Sequence, residues 1–409
     1  MPWLASAVFA AVYIVMAVGR VPGLRLDRTG AALTGAVILV ASGVLPADRL
    51  PDAIDFPTVL LLFGLMVLSA RFAALGFYDA AASWIARHEG SPRTLLALTV
   101  AVGGGLSAIL VNDVVVFAMT PLLCAGVRAR GLDPRPFLIA LAGASNAGSA
   151  ATLIGNPQNI LIGQVGALDF WSFAAVCVVP SVLSMAIVYA VVGFLWRESL
   201  APRGPSIDFQ DSPRMDRRQL FGAGLGVGVL LVLFATELPR ESAALLVASA
   251  MLFSRRFASR DMLVTVDWPL LVLFAALFVV NDAFAATGLP DAFLGMLAEQ
   301  DWLPDRLHLM APLALVLSNT IGNVPAVVML LEMWPELPRG ALHGLGLLST
   351  LAGNFLLVGS IANLIVVERA ATVGVRLSFA DHARSGIPIA LLSIAVAVAW
   401  LNGIGAMTW

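Results

Sequence analysis

Apolar runs long enough to cross a bilayer recur along the whole chain, and only some of them carry polar or helix-breaking residues. Runs of about 17–25 apolar residues match the thickness of a hydrocarbon core. Such runs predict helices at 2–18, 29–45, 57–86 and 171–196 in the first half, and at 219–236, 242–254, 267–287 and 386–403 in the second. Four further apolar segments are interrupted. The segment 94–127 breaks at Asn112-Asp113, 136–166 at 145–159, 307–334 at 318–325, and 340–367 at 353–363. A polar stretch at 197–218, with Pro202, Pro205 and Pro213, separates the halves.

The interruption at 145–159 is the sharpest of the four. No charged residue occurs from Phe137 to Ala167, yet the stretch holds Ser145, Asn146, Ser149, Thr152, Asn156, Gln158 and Asn159. Gly155 and Pro157 break helices among them. In hydrocarbon every freed backbone group needs a partner, so such a stretch is expected only where it lines a cavity or a site.

Composition strengthens the membrane reading. The 409 residues are 59% hydrophobic and 12% charged, about half the charge of a soluble domain. An all-α polytopic membrane protein is expected. The net charge of −2 gives nucleic acid no purchase. Cys124 and Cys177 lie in apolar runs and read as packing residues. The chain has no GxxxxGK[ST] and no HExxH, and no histidine lies near Ser145. Direct ATP coupling, a zinc protease and a serine enzyme are therefore disfavoured, and no cofactor beyond a coupling ion is expected.

Charge fixes a topology. All 24 basic residues are arginine. If 94–127 dips in and returns to the same side, 19 of the 24 fall on one side. Arg49, Arg240, Arg306 and Arg339 fall on the other, and Arg71 lies within the membrane. The positive-inside rule makes the rich side cytoplasmic. Both termini are then extracytoplasmic, and 197–218 is a cytoplasmic linker between repeats at 1–196 and 219–409. A single crossing by 94–127 would reverse the later bias. Two short crossings would preserve it, so hairpin and helix pair both remain open.

The halves also resemble each other. Asp55-Phe56-Pro57 matches Asp267-Trp268-Pro269 at an offset of 212, as do Gly76 and Gly288. Asn112 matches Asn323 at 211, and Gly155 and Asn159 match Gly359 and Asn363 at 204. Five crossings in each half is an odd number, so the repeats are inverted, each with a re-entrant hairpin and a helix broken at the midplane. That architecture points to a secondary transporter with its site at mid-membrane.

The candidate site follows from the four interruptions. Half-helix N-termini favour anions, and freed carbonyls with Ser, Thr and Asn oxygens suit Na+. The substrate- or ion-binding candidates are Asn112, Asp113, Ser145, Asn146, Ser149, Thr152, Gly155, Asn156 and Asn159 from the first half. From the second they are Ser318, Asn319, Thr320, Asn323, Asn354, Gly359, Ser360 and Asn363. A Na+ would sit near Asn112, Asp113, Gly155, Asn319 and Gly359. Asp113 is a carboxylate at membrane depth, so it reads as a cation ligand or proton carrier. Arg71 and Asp282, one position apart in the repeat alignment, read as a buried charge pair in the scaffold, the alternative being that they answer substrate charge.

Four segments together resemble the ion transporter superfamily: Asn112-Asp113 with Thr120-Pro121, SNAGSAATLIGNPQNILI, SNTIGNVPAVVMLL and LAGNFLLVGSIANLIVVE. That group includes ArsB-type arsenite permeases, NhaD-type Na+/H+ antiporters, citrate–metal carriers and divalent anion/sodium symporters. The resemblance spans about 29–403. It implies a scaffold domain, a mobile transport domain, an elevator-like movement and a homodimer. It also implies hairpin tips at Asn112 and at Ser318-Asn319-Thr320 with Asn323, and helix breaks at 155–159 and 359–363. The first hairpin departs from the symporters, carrying Asn112-Asp113 in place of their Ser-Asn-Thr. The expected function is secondary transport of a small anion or oxyanion coupled to Na+ or H+, in a bacterial inner membrane. Arsenite/H+ efflux and Na+/H+ antiport are the alternatives.

Overall fold

A computed structural model describes residues 2–21, 23–201, 217–253, 257–334 and 337–409. Its regular structure is helical. The first half runs α1 (Pro2–Val18), α2 (Arg28–Ala41), α3 (Leu50–Ala53), α4 (Phe56–Ala74), α5 (Phe77–Arg87), α6 (Pro92–Ile109), α7 (Asn112–Ala129), α8 (Arg135–Ser149), α9 (Pro157–Val165) and α10 (Phe170–Leu195). The second half repeats the order as α11 (Arg217–Leu233), α12 (Arg240–Leu252), α13 (Ser259–Val264), α14 (Trp268–Ala285), α15 (Leu289–Glu299), α16 (Leu307–Thr320), α17 (Asn323–Met333), α18 (Arg339–Ala352), α19 (Ile361–Thr372) and α20 (Phe379–Gly403). Each helix of the first half has its counterpart ten places later. Residues 202–216, most of the expected linker, lie outside the described residues.

Local chemistry explains the matched ends. Asp55 and Asp267 cap α4 and α14, accepting from Thr58 N at 3.2 Å and Leu270 N at 3.0 Å. A proline opens each helix, where its missing N–H costs nothing. Gly76 and Gly288 then stop the chain with φ of +71° and +72°, a left-handed conformation that glycine adopts freely. The helix expected over 57–86 is therefore two, α4 and α5, with the break at Gly76. The amphipathic counterpart α15 has no expected equivalent, and the last helix begins at Phe379 rather than 386. Its start is a capping box between Ser378 and Asp381.

The two interrupted segments differ in length. Helices α16 and α17 have 14 and 11 residues, too short to cross about 30 Å at about 1.5 Å per residue. The tip joining α6 to α7 ends at the gap between α8 and α9, where Asn112 N donates to Gly155 O at 3.0 Å. Helices α6 and α7, with 18 residues each, are long and apolar enough to cross, so length alone marks only the second segment as re-entrant. Both segments abut the broken helices α8–α9 and α18–α19.

Two packed bodies result. In the first, α2 lies against α14 and α4 against α12, so the halves interlock. In the second, α6 packs on α8, α16 on α18, α7 on α19 and α10 on α20. Small residues permit these contacts. A Cβ on Gly148 would overlap the backbone of Gly104, and one on Gly64 would lie 3.0 Å from the Ala244 Cβ.

Candidate transport site

The two helix breaks are tied by the same knot. Asn159 Nδ2 donates to Ser149 O at 3.4 Å and Thr152 O at 3.0 Å. Asn363 Nδ2 donates to Gly353 O at 2.8 Å and Leu356 O at 3.3 Å, each partner shifted by 204. Asn156 caps α9 through Asn159 N at 2.9 Å. These bonds satisfy groups that the breaks would otherwise leave bare in an apolar surrounding.

Each hairpin tip is bonded to its own break. Ser107 Oγ and Ser145 Oγ are 2.9 Å apart, and Thr152 Oγ1 donates to Ala108 O at 2.5 Å. On the other side Ser318 Oγ donates to Ser349 O at 3.2 Å, and Asn319 Nδ2 to Ala352 O at 2.9 Å. Asn319 Oδ1 accepts from Leu356 N at 3.0 Å, and a Cβ on Gly359 would overlap it.

The breaks then meet across the halves. Asn146 Nδ2 donates to Asn354 Oδ1 at 2.8 Å and Asn363 Oδ1 at 3.1 Å, while Asn146 Oδ1 accepts from Ser360 Oγ at 2.9 Å. Thr350 accepts from Asn156 Nδ2 at 3.3 Å and Gln158 Nε2 at 3.1 Å. Most of the expected site residues therefore form one buried hydrogen-bonded core. Four half-helix N-termini, those of α7, α9, α17 and α19, border it and give it a positive bias.

Two candidates stand apart. Thr320 is exposed and bonds back to Val316 O at 2.9 Å. Asn323 is buried, and among the described residues its Oδ1 accepts from Val324 N alone, at 3.0 Å. Arg71 and Asp282 do not meet. The Arg71 guanidinium lies 5.2 Å from the Phe257 ring, whereas Asp282 lies in the field of Arg49 and Asp52. The reason is the inversion itself: neighbouring positions in an alignment of inverted repeats fall on opposite sides of the membrane. Ser107, Gln158, Ser349 and Thr350 were not among the candidates. Offsets of 211 and 204, applied from Ser318, Ser145 and Asn146, find Ser107, Ser349 and Thr350. They also set Ser107-Ala108-Ile109, not Asn112-Asp113, opposite Ser318-Asn319-Thr320.

Asp113 follows Asn112 in the first turn of α7 and faces the other way, into a cavity of about 750 Å3. Helices α4, α5, α7 and α19 wall it with the start of α14. Asp113 is 8% exposed, and it has no hydrogen-bond or ion-pair partner among the described residues. The positive end of α7 is its local compensation. Asp79 and Asp267 share the wall, and Arg369, 4.1 Å from the Phe117 ring, is its cation. Behind Asp113, the Asn112 Oδ1 is buried without a partner among the described residues. The cavity offers carboxylates to a cation or proton beside donors to an oxyanion.

The profile described as citrate transporter, CitMHS, matches residues 11–337. The chain belongs to the citrate transporter family. An uncharacterized transporter of Mycobacterium tuberculosis is 28% identical over 425 residues, covering 97% of each chain. The silicon efflux transporter of Oryza sativa is 27% identical over 468 residues, covering 97% of this chain and 96% of that one. The crystal structure of the Alcanivorax borkumensis YdaH transporter, described as having an unusual topology, shares the fold with a TM-score of 0.59 at 15% identity. It covers 98% of this chain and 97% of that one. The protein of this family described here is an integral membrane transporter, not an enzyme.

Proposed function

We propose that this citrate-transporter-family protein is a secondary active transporter of a small oxyanion or its acid, coupled to H+ or Na+ through Asp113. One observation carries the reading: a buried carboxylate without a partner lines a cavity directly beside a core of paired helix breaks. An isolated charge there is costly unless a cation or proton joins it. An oxyanion entering past Asp79, Asp113 and Asp267 meets repulsion that the same cation relieves, which couples the two. The likeness to a silicon efflux transporter supports an oxyacid cargo. Na+/H+ antiport is the second reading, favoured by three carboxylates facing one arginine across the cavity. The two packed bodies support an elevator-like movement of α6–α10 with α16–α20 against the rest. A homodimer in a bacterial inner membrane, with both termini extracytoplasmic, completes the proposal.

Proteoliposomes test it. Silicate, arsenite and citrate are offered under imposed pH or Na+ gradients, and uptake is compared between the parent and Asp113→Asn. The expected result is gradient-driven uptake of one solute, abolished in a folded Asp113→Asn protein. Unchanged coupling in that variant rejects the role of Asp113. Ion exchange with no solute flux moves the reading to antiport.

A further inference from the structure

The halves repeat each other helix by helix, yet they pack unequally where each hairpin meets the scaffold. Toward the arginine-rich loops, the cavity separates α7 from α4 and α14. On the opposite side α17, the counterpart of α7, lies tight against α14, and α9 lies against α4. Matched positions record the difference: Phe117 is 50% exposed and Val328, its counterpart at 211, is 0% exposed. Val114 lines the cavity, while its counterpart Pro325 is buried. One repeated interface packed in two ways displays both states that the interface can adopt, and exchanging them would open the opposite side.

A polar contact sits at the closed seam. Tyr13 of α1 is 7% exposed, and its hydroxyl donates to Asn281 Oδ1 of α14 at 3.0 Å. The Pro325 carbonyl of α17 is 3.4 Å from the same hydroxyl. Asn281 is itself held by Nδ2 donating to Leu277 O at 2.6 Å. Two scaffold helices and the mobile hairpin thus meet at one buried hydroxyl. Separating α17 from α14 removes the carbonyl and exposes a satisfied pair.

We propose that Tyr13 is the latch of the closed side, and that it biases the protein toward the state open to the arginine-rich side. The inference rests on the alternating-access reading above. The crevice that the latch keeps shut is the second access route, walled by Pro325, Val328 and Glu332, the counterparts of Val114, Phe117 and Pro121. A carboxylate therefore faces each route, Asp113 on one side and Glu332 on the other.

Thiol labelling tests this without knowledge of the cargo. Cys124 and Cys177, both buried, are replaced by alanine. A single cysteine is then placed at Ala118, in the open cavity, or at Val328, in the closed seam, and the purified protein in detergent is treated with a polar maleimide that reaches both sides. Ala118→Cys is expected to react readily and Val328→Cys slowly. Adding Tyr13→Phe should raise Val328→Cys labelling by about twofold, the low end for one net hydrogen bond, since the hydroxyl shares its proton between Asn281 and the Pro325 carbonyl. Ala118→Cys should stay level or fall. Asn281→Ala, which frees the hydroxyl proton for the Pro325 carbonyl, should not raise Val328→Cys labelling, whereas Tyr13→Phe should raise it with or without Asn281. Fast labelling at Val328 in the parent, no response to Tyr13→Phe, or a rise at both reporters each overturns the proposal. Because the readout is access, a protein that carries none of the tested oxyanions still answers the question.

Discussion

At the scale of single residues, Asn146 is the hinge pin of the polar core. Its side chain makes three bonds to the other half, to Asn354, Asn363 and Ser360. None of these partners can turn to water, since all are at most 2% exposed. Removing one side strands the other, which costs more than the bond itself is worth. Asn146→Ala is expected to destabilise the protein by about 3 kcal/mol, taking about 1 kcal/mol for each bond lost. A drop of several degrees in melting temperature in detergent checks it. An unchanged melting temperature with lost transport would make Asn146 a ligand rather than a strut. Residue chemistry was legible where polar types stood out against apolar runs, as at Asn146, Asn159 and Asn363. It was not legible where rotation decides: Thr320 shares a turn with Ser318 and Asn319 yet faces outward. Ser107 looks ordinary until its counterpart is known.

Elements depend on how closely backbones approach. The contact of α6 with α8 turns on Gly104 and Gly148, where the two chains nearly touch. Gly148→Ala drives a methyl into the Gly104 backbone, which has no rotamer to yield. The variant is expected to lose its monodisperse peak in fluorescence-detected size exclusion. Gly222→Ala on α11 meets nothing within 4 Å and should elute as the parent does. Equal behaviour of the two would show that this helix contact bears no weight. The breaks between α8 and α9 and between α18 and α19 were visible because Gly, Pro and Asn interrupt hydrocarbon-like sequence. The break at Gly76 was hidden, because apolar residues continue on both sides and only a positive φ marks the turn. The last helix began early for a related reason. Its first turn is polar and capped, so hydropathy passed over a start that Ser378 and Asp381 specify.

For the whole molecule, repetition was legible from a few matched residues, but its interlocking was not, since offsets do not say which half a helix packs against. One body pairs α2 with α14 and α4 with α12, and the other pairs α7 with α19 and α10 with α20. These four seams join the two halves, while α6 on α8 and α16 on α18 each lie within one half. Neither half alone can cover its apolar faces or satisfy its breaks, because Asn146 finds its partners only in α19 and the loop before it. Cutting the chain between 201 and 217 leaves every one of these contacts in place. Residues 1–201 and 217–409, expressed together as separate chains, are therefore expected to copurify in equal amounts and to elute as the intact protein does. Each expressed alone should aggregate. A monodisperse, helical half on its own would show that the repeats are independent domains, and the shared polar core would then be a contact between them rather than the condition of their folding.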